Sequence, residues 1–402
     1  MKTLFQLGEW IERGGFYLLL LLLPFSNAAI ELTFWLLLCG WVAARTRQDH
    51  GWRALAPAGI GWAVVGYLAI CALSIVVSDV PHVSSRALFS KWGQYLLFFV
   101  MVTDLAKRRP TIVRSALMVV ACSSAFVALE AILQEVTGRG PFRGFPLSYY
   151  GRMTGPYKDP IDLATYLMVV VPLLMTYAMT VRRTGGRWAL GLLLVALMGC
   201  FARTEALGAW IGLGAGLLAV SLFQATVRRV SLLCLVVVVC FGGFYLHRVG
   251  RLNEVFSLQD VGKVDRLAMW QAALGMIRDR PILGHGLNTF MGNYLKYWVG
   301  GERQPRYAHN CYLQVAAETG IIGLIAFLWL LGSVLWRVWE GLRVAITDQR
   351  LLLCGLLAGV FAFAVQAGVD TNFYSLRQAV LFWVMAGLAL GLSESARQSA
   401  SA

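Results

Sequence analysis

The stretch RYAHNCYLQVAAETGIIGLIAFLWLLGSVLW, residues 306–336, passes from polar to apolar sequence within a few positions. From about residue 312 it is long and apolar enough to cross roughly 30 Å of hydrocarbon as an α-helix. Two polar residues, His309 and Asn310, stand where that helix should begin. The stretch therefore predicts a membrane-spanning helix with a titratable side chain at its border.

The same apolar character extends over the whole chain. Of its 402 residues, 58% are hydrophobic and 14% are charged, and the mean hydropathy is +0.65. This is more apolar than a soluble core of this size requires. Since repeated apolar runs leave little room for a separate soluble domain, we expect a single integral membrane domain over residues 1–402. The predicted fold class is all-α and polytopic.

Twelve apolar runs are candidate transmembrane helices. They are 16–23, 28–44, 57–77, 88–104, 111–135, 162–181, 188–201, 206–224, 230–246, 312–336, 351–369 and 376–392. The eight cysteines show neither a disulfide framework nor metal-ligand spacing, and we expect neither a metal nor another cofactor.

Basic residues cluster in every second connection, at 45–53, 107–109, 182–187, 228–229 and 337–350. By the positive-inside rule these connections and both termini should be cytoplasmic. The two longest connections, 136–161 and 247–311, should then face the outside, the second between the ninth and tenth helices. Both are basic as well, which either an anionic partner such as phosphate or anionic lipid headgroups would explain. Because topology accounts for the cytoplasmic excess within the net charge of +14, nucleic acid is not an expected partner.

Arg203 lies in a short polar break between two apolar runs, with Glu205 beside it. An arginine well inside the bilayer costs about 2.5 to 3.5 kcal/mol, so Arg203 should line a cavity, form a pair or lie at the interface. Two interpretations remain open here. One is a tight outer turn from which Arg203 reaches the interface, and the other is a cation that faces a ligand.

Residues 262–280 predict an amphipathic helix that ends before Pro281. Its apolar residues repeat at spacings of three and four, which suits a helix lying on the membrane surface. These residues are Leu267, Trp270, Leu274 and Ile277. Arg266 lies one turn before Trp270, whose indole can direct the guanidinium toward a phosphate. In the next segment, paired glycines around His285 indicate a tight turn, and a direct chemical role for His285 is the less favoured interpretation.

His309 is the main candidate for chemistry. Asn310 is placed to cap a helix that begins at about Cys311, so His309 would stand at the positive end of the helix dipole. That position favours a nearby anion and a neutral imidazole able to accept a proton. Asn310, Gln314 and Glu318 form a polar stripe that should face the bundle or a wet cavity. The alternative is an interfacial cap without a chemical role.

Other polar residues on the outer side are candidate substrate contacts. Arg152 and Lys158 precede one predicted helix, and Asp370 lies at the last outer turn. Asp370 could orient a histidine or cap the helix that follows it. Asp159 and Asp162 have a spacing that could hold a divalent ion, but helix capping explains them more simply.

Three segments resemble, in order and spacing, the O-antigen ligase and polymerase superfamily of bacterial envelope glycosyltransferases. They are GRMTGPYKDPIDLATYL, RLAMWQAALGMIRDRPILGHGLNTF and AHNCYLQVAAETGIIGLIAF, which begin at Gly151, Arg266 and Ala308. The likeness extends from about residue 150 onward. It implies an enzyme of the bacterial inner membrane that uses undecaprenyl-diphosphate-linked glycans as donors at the periplasmic face.

By this resemblance, His309 matches the family's essential histidine, Arg266 the arginine before a conserved tryptophan, and Arg203 an arginine near an earlier outer turn. We expect Arg203 and Arg266 to bind the diphosphate without a metal while His309 deprotonates the acceptor, which gives inversion. Expected substrate contacts are Arg152, Lys158, Trp270, Asn310, Gln314 and Asp370.

The resemblance favours a ligase that transfers the glycan to lipid A core oligosaccharide, within a membrane whose lipids are also partners. A polymerase acting on lipid-linked repeats remains an alternative. A transporter of the lipid-linked glycan is the alternative from another class, and it would carry polar groups through the membrane interior rather than at one side.

Overall fold

The computed structural model describes residues 2–45, 60–223, 225–248, 250, 261–298 and 307–401. These residues are almost entirely helical, and each of the twelve predicted runs overlaps an α-helix, which confirms the predicted all-α polytopic fold class. The helices are α1 (Lys2–Leu22), α2 (Asn27–Arg45), α3 (Ile60–Val76), α4 (Pro81–Ala87), α5 (Gln94–Arg108), α6 (Thr111–Thr137), α7 (Pro160–Thr180), α8 (Thr184–Thr204), α9 (Leu207–Ser221), α10 (Ala225–Arg248), α11 (Val261–Asp279), α12 (Phe290–Asn293), α13 (Cys311–Val344), α14 (Thr347–Gln366) and α15 (Leu376–Ser401).

Seven of the described helices are long and apolar enough to cross a membrane: α2, α6, α7, α8, α13, α14 and α15. The shorter helices α3 and α9 are also apolar. Within the bundle α5 packs along α15, α7 and α9 pack along α14, and α3 packs along α13. Small residues allow these approaches. For example, a side chain on Gly216 of α9 would meet the backbone carbonyl of Ala358 on α14 at 2.5 Å.

Most of the described connections meet at one end of the bundle, here called the loop end. It comprises residues 138–159, 205–206, 280–298, 307–310 and 367–375. Backbone hydrogen bonds join them: the Met153 N–H donates to the Arg203 carbonyl at 3.0 Å, and the Cys311 N–H donates to the Ala367 carbonyl at 2.8 Å. The described parts of the two long predicted connections both lie beside residues 374–377: the Arg377 guanidinium donates to the Pro156 carbonyl at 3.1 Å, and the ring of Tyr307 lies 5.8 Å from that of Tyr374.

Buried ion pairs hold the opposite end of the bundle. Arg45 of α2 pairs with Asp104 of α5, and Arg108 bonds both Asp104 and Glu12 of α1. The indole N–H of Trp41 also donates to Asp104 at 2.9 Å. These groups tie α1, α2 and α5 together. The start of α6 and the ends of α7 and α13 lie at the same end of the bundle.

Helix α13 is interrupted at Gly320, whose φ of 73° and ψ of −179° are not helical. A Cβ atom here would collide with the carbonyl of Ile282, so only glycine lets the loop approach this closely. The sequence predicted one continuous apolar helix, because a single glycine within apolar sequence is not by itself a break signal.

The interruption exposes α13 backbone groups to the turn at 281–286. The carbonyls of Ala317 and Glu318 accept hydrogen bonds from the N–H groups of His285 at 3.0 Å and Gly286 at 2.9 Å. In return, the N–H of Ile321 donates to the carbonyl of Pro281 at 2.8 Å. The loop is therefore fastened to the first half of α13, directly behind the residues that follow His309.

Candidate functional site

Asn310 begins α13 as its N-cap. Its side-chain oxygen accepts hydrogen bonds from the backbone N–H groups of Tyr312 and Leu313, each at 3.0 Å. Two donors that every helix start leaves free are thereby satisfied. The predicted cap is confirmed, and this oxygen of Asn310 is used within the protein.

His309 lies immediately before the cap, with a left-handed φ of 46°. For a residue other than glycine this backbone costs about 1–3 kcal/mol and persists only where its surroundings hold it. The side chain is 31% exposed, and its Nδ1 lies 3.5 Å from Oδ1 of Asp370. Nδ1 is buried, and among the described residues nothing meets it with hydrogen-bond geometry. The exposed part of the ring therefore faces away from Asp370.

Asp370 is fixed in this position by the start of α13. Its Oδ1 accepts the Thr371 N–H at 2.8 Å, and its backbone carbonyl accepts the Cys311 N–H at 3.1 Å. A movement of about 0.5 Å would bring His309 Nδ1 to hydrogen-bond distance of the carboxylate. Such contacts are often long in the free enzyme and shorten with substrate. A carboxylate beside Nδ1 favours a proton there, which leaves Nε2 as the acceptor.

The polar stripe on α13 holds the loop instead of lining a cavity. Gln314 and Glu318 are buried, and the Gln314 amide donates to Glu318 at 3.2 Å. Glu318 also accepts the backbone N–H of Asn288 at 2.7 Å and the hydroxyl of Tyr374 at 3.0 Å. The Gln314 oxygen accepts the Ala308 N–H at 3.3 Å, next to His309. Gln314, predicted as a substrate contact, is therefore placed to support His309 from within the protein.

Arg203 ends α8 and pairs with a carboxylate that the sequence analysis did not identify. Its Nη2 lies 2.6 Å from Glu135 of α6 and donates to the Gly151 carbonyl at 3.2 Å, whereas the expected partner Glu205 lies 4.0 Å away. Glu135 is 68 positions away in the chain, so no local pattern indicates this pair. The side chain is 32% exposed, and its direction is fixed by these partners.

Arg152 lies near Arg203, in a chain segment that packs on the end of α8 and is followed by Lys158. The Arg152 Nε donates to the Thr204 carbonyl at 2.6 Å, which joins this segment to the end of α8. Lys158 is exposed. Asp159 accepts the Ile161 N–H at 2.7 Å as the N-cap of α7, which confirms capping as its role. Among the described residues no group of three or more His, Cys, Asp and Glu side chains is arranged to hold a metal ion.

The turns that carry Arg203 and Asp370 are neighbours. A Cβ atom built on Gly208, at the start of α9, would lie 3.0 Å from the Val369 side chain. Val369 directly precedes Asp370, which approaches His309. The structure thus brings the turn after Arg203 and the His309–Asp370 pair to adjacent positions of the loop end.

Arg266 and Trp270 lie on α11, and both are partly buried. The predicted amphipathic helix is confirmed, but the side of α11 that packs against the protein is formed by Met269, Ala272, Ala273 and Met276. Two residues of the predicted apolar face, Leu267 and Leu274, are exposed. This arrangement is compatible with contact between that face and the membrane surface.

Lys91 is a cation near the site that the sequence analysis missed. It lies in a π-helical turn at Leu88–Gly93, and its Nζ donates to the side-chain oxygen of Asn288 at 2.7 Å. Asn288 has a left-handed φ of 59° and donates its own N–H to Glu318. The sequence signal that could have identified Lys91 is its position as a charged residue within the apolar run 88–104. The structure places it in a π turn, and such turns occur often at functional sites.

His285 occupies a buried position at the predicted tight turn, where Gly284 and Gly286 both have positive φ. Its Nε2 lies 3.2 Å from the Met276 carbonyl. Burial lowers the pKa of His285, which favours the neutral ring. A hydrogen bond from Arg280 at 2.8 Å holds the pKa of the Asp79 carboxyl below its usual range. These contacts join the end of α11 to the connection after α3, which indicates a structural role for His285.

Part of the chain matches a known protein family. The O-antigen ligase family model matches residues 188–328, a range that includes Arg203, Arg266 and His309. Two proteins that carry the name "Putative polysaccharide ligase", from Rickettsia conorii and Rickettsia felis, are each 33% identical to the chain, over 96 and 99 residues. In both cases the match covers 22% of this chain and 23% of the relative's length. The predicted resemblance is confirmed over residues 188–328, which match the O-antigen ligase family model.

Proposed function

We propose that the protein is an inverting glycosyltransferase of the bacterial inner membrane. It joins an undecaprenyl-diphosphate-linked O-antigen glycan to lipid A core oligosaccharide, with the loop end in the periplasm and both termini in the cytoplasm. The observation that carries the proposal is the His309–Asp370 pair at the start of α13, inside the region that matches the O-antigen ligase family. Connections 136–161 and 247–311 would then be periplasmic.

The reaction requires a base for the acceptor and cations for the leaving group. The acceptor hydroxyl oxygen attacks the anomeric carbon, and the bond from that carbon to the diphosphate oxygen breaks. His309 Nε2 takes the hydroxyl proton, while Asp370 stabilises the imidazolium that forms. The electron pair of the broken bond stays on undecaprenyl diphosphate. One displacement inverts the anomeric centre, and general-base assistance typically contributes about 10²- to 10⁴-fold in rate.

Fixed cations stabilise the charge that develops on the diphosphate. Glu135 and the Gly151 carbonyl hold Arg203 in one direction, which lowers the reorganisation needed when the phosphate arrives. Arg266, partly buried on α11, supplies the second guanidinium. In this proposal no metal is needed, because two guanidinium groups can bind phosphate oxygens in bidentate fashion.

Ligase and polymerase share this chemistry and differ in the acceptor. A polymerase would transfer the glycan to another lipid-linked repeat. The family description and the names of both relatives refer to ligases, which favours lipid A core as the acceptor.

Reconstitution tests the function directly. Purified protein in proteoliposomes, given only lipid-linked donor and lipid A core, should form the joined product at the same rate with and without EDTA. Product formed from donor alone would indicate a polymerase. Passage of donor across the membrane without any glycan transfer would indicate a transporter.

Arg266→Lys tests the diphosphate contact in the same assay. Transfer should fall, because an ammonium cannot replace a bidentate guanidinium. Arg278→Lys is the matched control, since Arg278 is exposed on the same helix. Equal rates for Arg266→Lys and the unaltered protein would remove Arg266 from the site.

A further inference from the structure

A cavity of about 720 Å³ lies at the end of the bundle opposite the loop end. This volume falls within the roughly 300–1,000 Å³ typical of small-molecule sites. The end of α9, the end of α13 and the first turn of α14 form its walls. The lining residues are Leu222, Phe223, Trp339, Leu342, Arg343 and Arg350. An apolar wall is thus combined with two cations.

Both arginines are placed to receive an anion. The guanidinium of Arg343 lies 4.2 Å from the centroid of the Trp339 ring, a contact that holds it against the wall. The Nε of Arg350 is buried, and among the described residues no acceptor bonds it. A buried donor on a charged group is unfavourable without an acceptor, and a phosphate oxygen would satisfy it.

The start of α14 adds to the positive potential of this cavity. Its N-cap residue, Ile346, has no side chain that can accept a hydrogen bond from the first turn. Free N–H groups and the helix dipole both favour an anion at such a position. Asp348, the acidic residue of the first turn, lies 4.0 Å from Arg114 of α6 and is not among the residues that line the cavity.

The apolar walls distinguish a lipid from a free anion. Leu222 is 81% exposed at the end of α9, and Phe223 follows it. Helices α13 and α14 are both candidate membrane spans, so their adjoining ends lie near the headgroup level. Basic pockets between transmembrane helices on the cytoplasmic side suit anionic headgroups.

We propose that this cavity binds one anionic phospholipid, with its phosphate between Arg343 and Arg350 and an acyl chain along Leu222 and Trp339. The site lies apart from the His309–Asp370 pair, and the proposal does not depend on the transferase activity.

Native mass spectrometry of the detergent-purified full chain, titrated with phosphatidylglycerol, tests the proposal. We expect the protein to bind one molecule of phosphatidylglycerol more tightly than it binds phosphatidylethanolamine. The double variant Arg343→Gln/Arg350→Gln should bind phosphatidylglycerol roughly 30-fold more weakly, because each cation near a headgroup contributes about 1 kcal/mol. The double variant Arg182→Gln/Arg183→Gln removes the same charge from exposed positions at the same end and should bind as the unaltered protein does.

Three outcomes would overturn the assignment. One is equal affinity in the cavity variant and the unaltered protein, and another is equal weakening in both double variants. The third is competition by inorganic phosphate at the concentration of the lipid, which would identify a free-anion site. If the cavity double variant does not fold, Arg343→Gln alone serves, because Arg343 is exposed and its loss leaves the buried packing intact.

Discussion

Two sets of charged groups, one at each end of the bundle, differ in how completely their members are paired. At the opposite end, Arg45, Asp104, Arg108 and Glu12 are paired with one another and shielded from solvent. At the loop end, His309 is 31% exposed and only approaches its carboxylate partner, Asp370. The four groups of the buried cluster bond one another, whereas His309 keeps part of its bonding capacity available beside Asp370.

This difference distinguishes charged groups that stabilise the fold from groups that are able to take part in chemistry. A buried network that satisfies its members stabilises one arrangement of helices, and removing one member leaves the others uncompensated. A titratable group with an incomplete contact and an exposed edge can exchange a proton with a ligand. The difference predicts which substitutions alter activity and which alter stability.

His309→Ala should produce the largest change in activity. Transfer in proteoliposomes should fall by about 10² to 10⁴, because the proposed general base is lost while the fold is retained. The thermal unfolding midpoint should stay close to that of the unaltered protein. His82→Ala, which alters an exposed histidine of α4, should leave both quantities unchanged. Transfer at the normal rate by purified His309→Ala would remove the catalytic role.

Asp104→Ala should produce the largest change in stability. It removes the carboxylate that pairs with the buried Arg45 and with Arg108, and breaking a buried ion pair costs about 3–5 kcal/mol of unfolding free energy. Activity per folded molecule should be unaffected, because the site lies at the other end. Glu340→Ala is the control: Glu340 pairs with Arg397 at 2.9 Å, but both side chains are one-third exposed. A fall in activity per folded molecule would show that the two ends are coupled.

Gly320→Ala should change both stability and activity. Its positive φ costs a non-glycine residue about 1–3 kcal/mol, and the new Cβ meets the Ile282 carbonyl. The turn at 281–286 must move, so both stability and transfer should decrease. Gly332→Ala, on the same helix with open space around it, should be neutral or slightly stabilising. If Gly320→Ala matches Gly332→Ala in thermal unfolding and in transfer, the turn is not fastened as described.

Arg280→Gln should have the smallest effect, about 0.2–1 kcal/mol, because its pair with Asp79 is partly exposed. The folded pKa of Asp79 is lowered by this pair, so its contribution is present above the ordinary carboxyl pKa of about 3.9. It is lost as the pH falls through the lower folded pKa. The difference between the thermal unfolding midpoints at neutral pH and near pH 3 should be smaller in the variant than in the unaltered protein. An equal difference in both proteins would show that the Arg280–Asp79 pair does not contribute to stability.

The sequence predicted the features that depend on neighbouring residues. The Asn310 cap, the Asp159 cap and the turn around His285 each follow from side chains or glycines within a few positions. Helix positions also follow, because apolar runs of sufficient length have few alternatives in a membrane. The resemblance to the O-antigen ligase family was recognised from three ordered segments, two of which lie within the matched residues 188–328.

Features that depend on distant residues were not predictable in this way. Glu135 pairs with Arg203 across 68 positions, and Lys91 meets Asn288 across 197. The break at Gly320 becomes evident only when the turn at 281–286 packs against it. The buried side of α11 was also missed, because small residues there, Ala272 and Ala273, allow close packing without high hydrophobicity.

The hydrogen bonds between the turn at 281–286 and α13 join residues that leave the ribosome 32 to 40 positions apart. During synthesis the turn can therefore form these hydrogen bonds only after Ala317, Glu318 and Ile321 have been made. His309 is made in the interval, and its neighbour Asp370 is made only after the whole of α13. A nascent chain that stops before Ile321 lacks these hydrogen bonds, so the turn is not yet joined to α13.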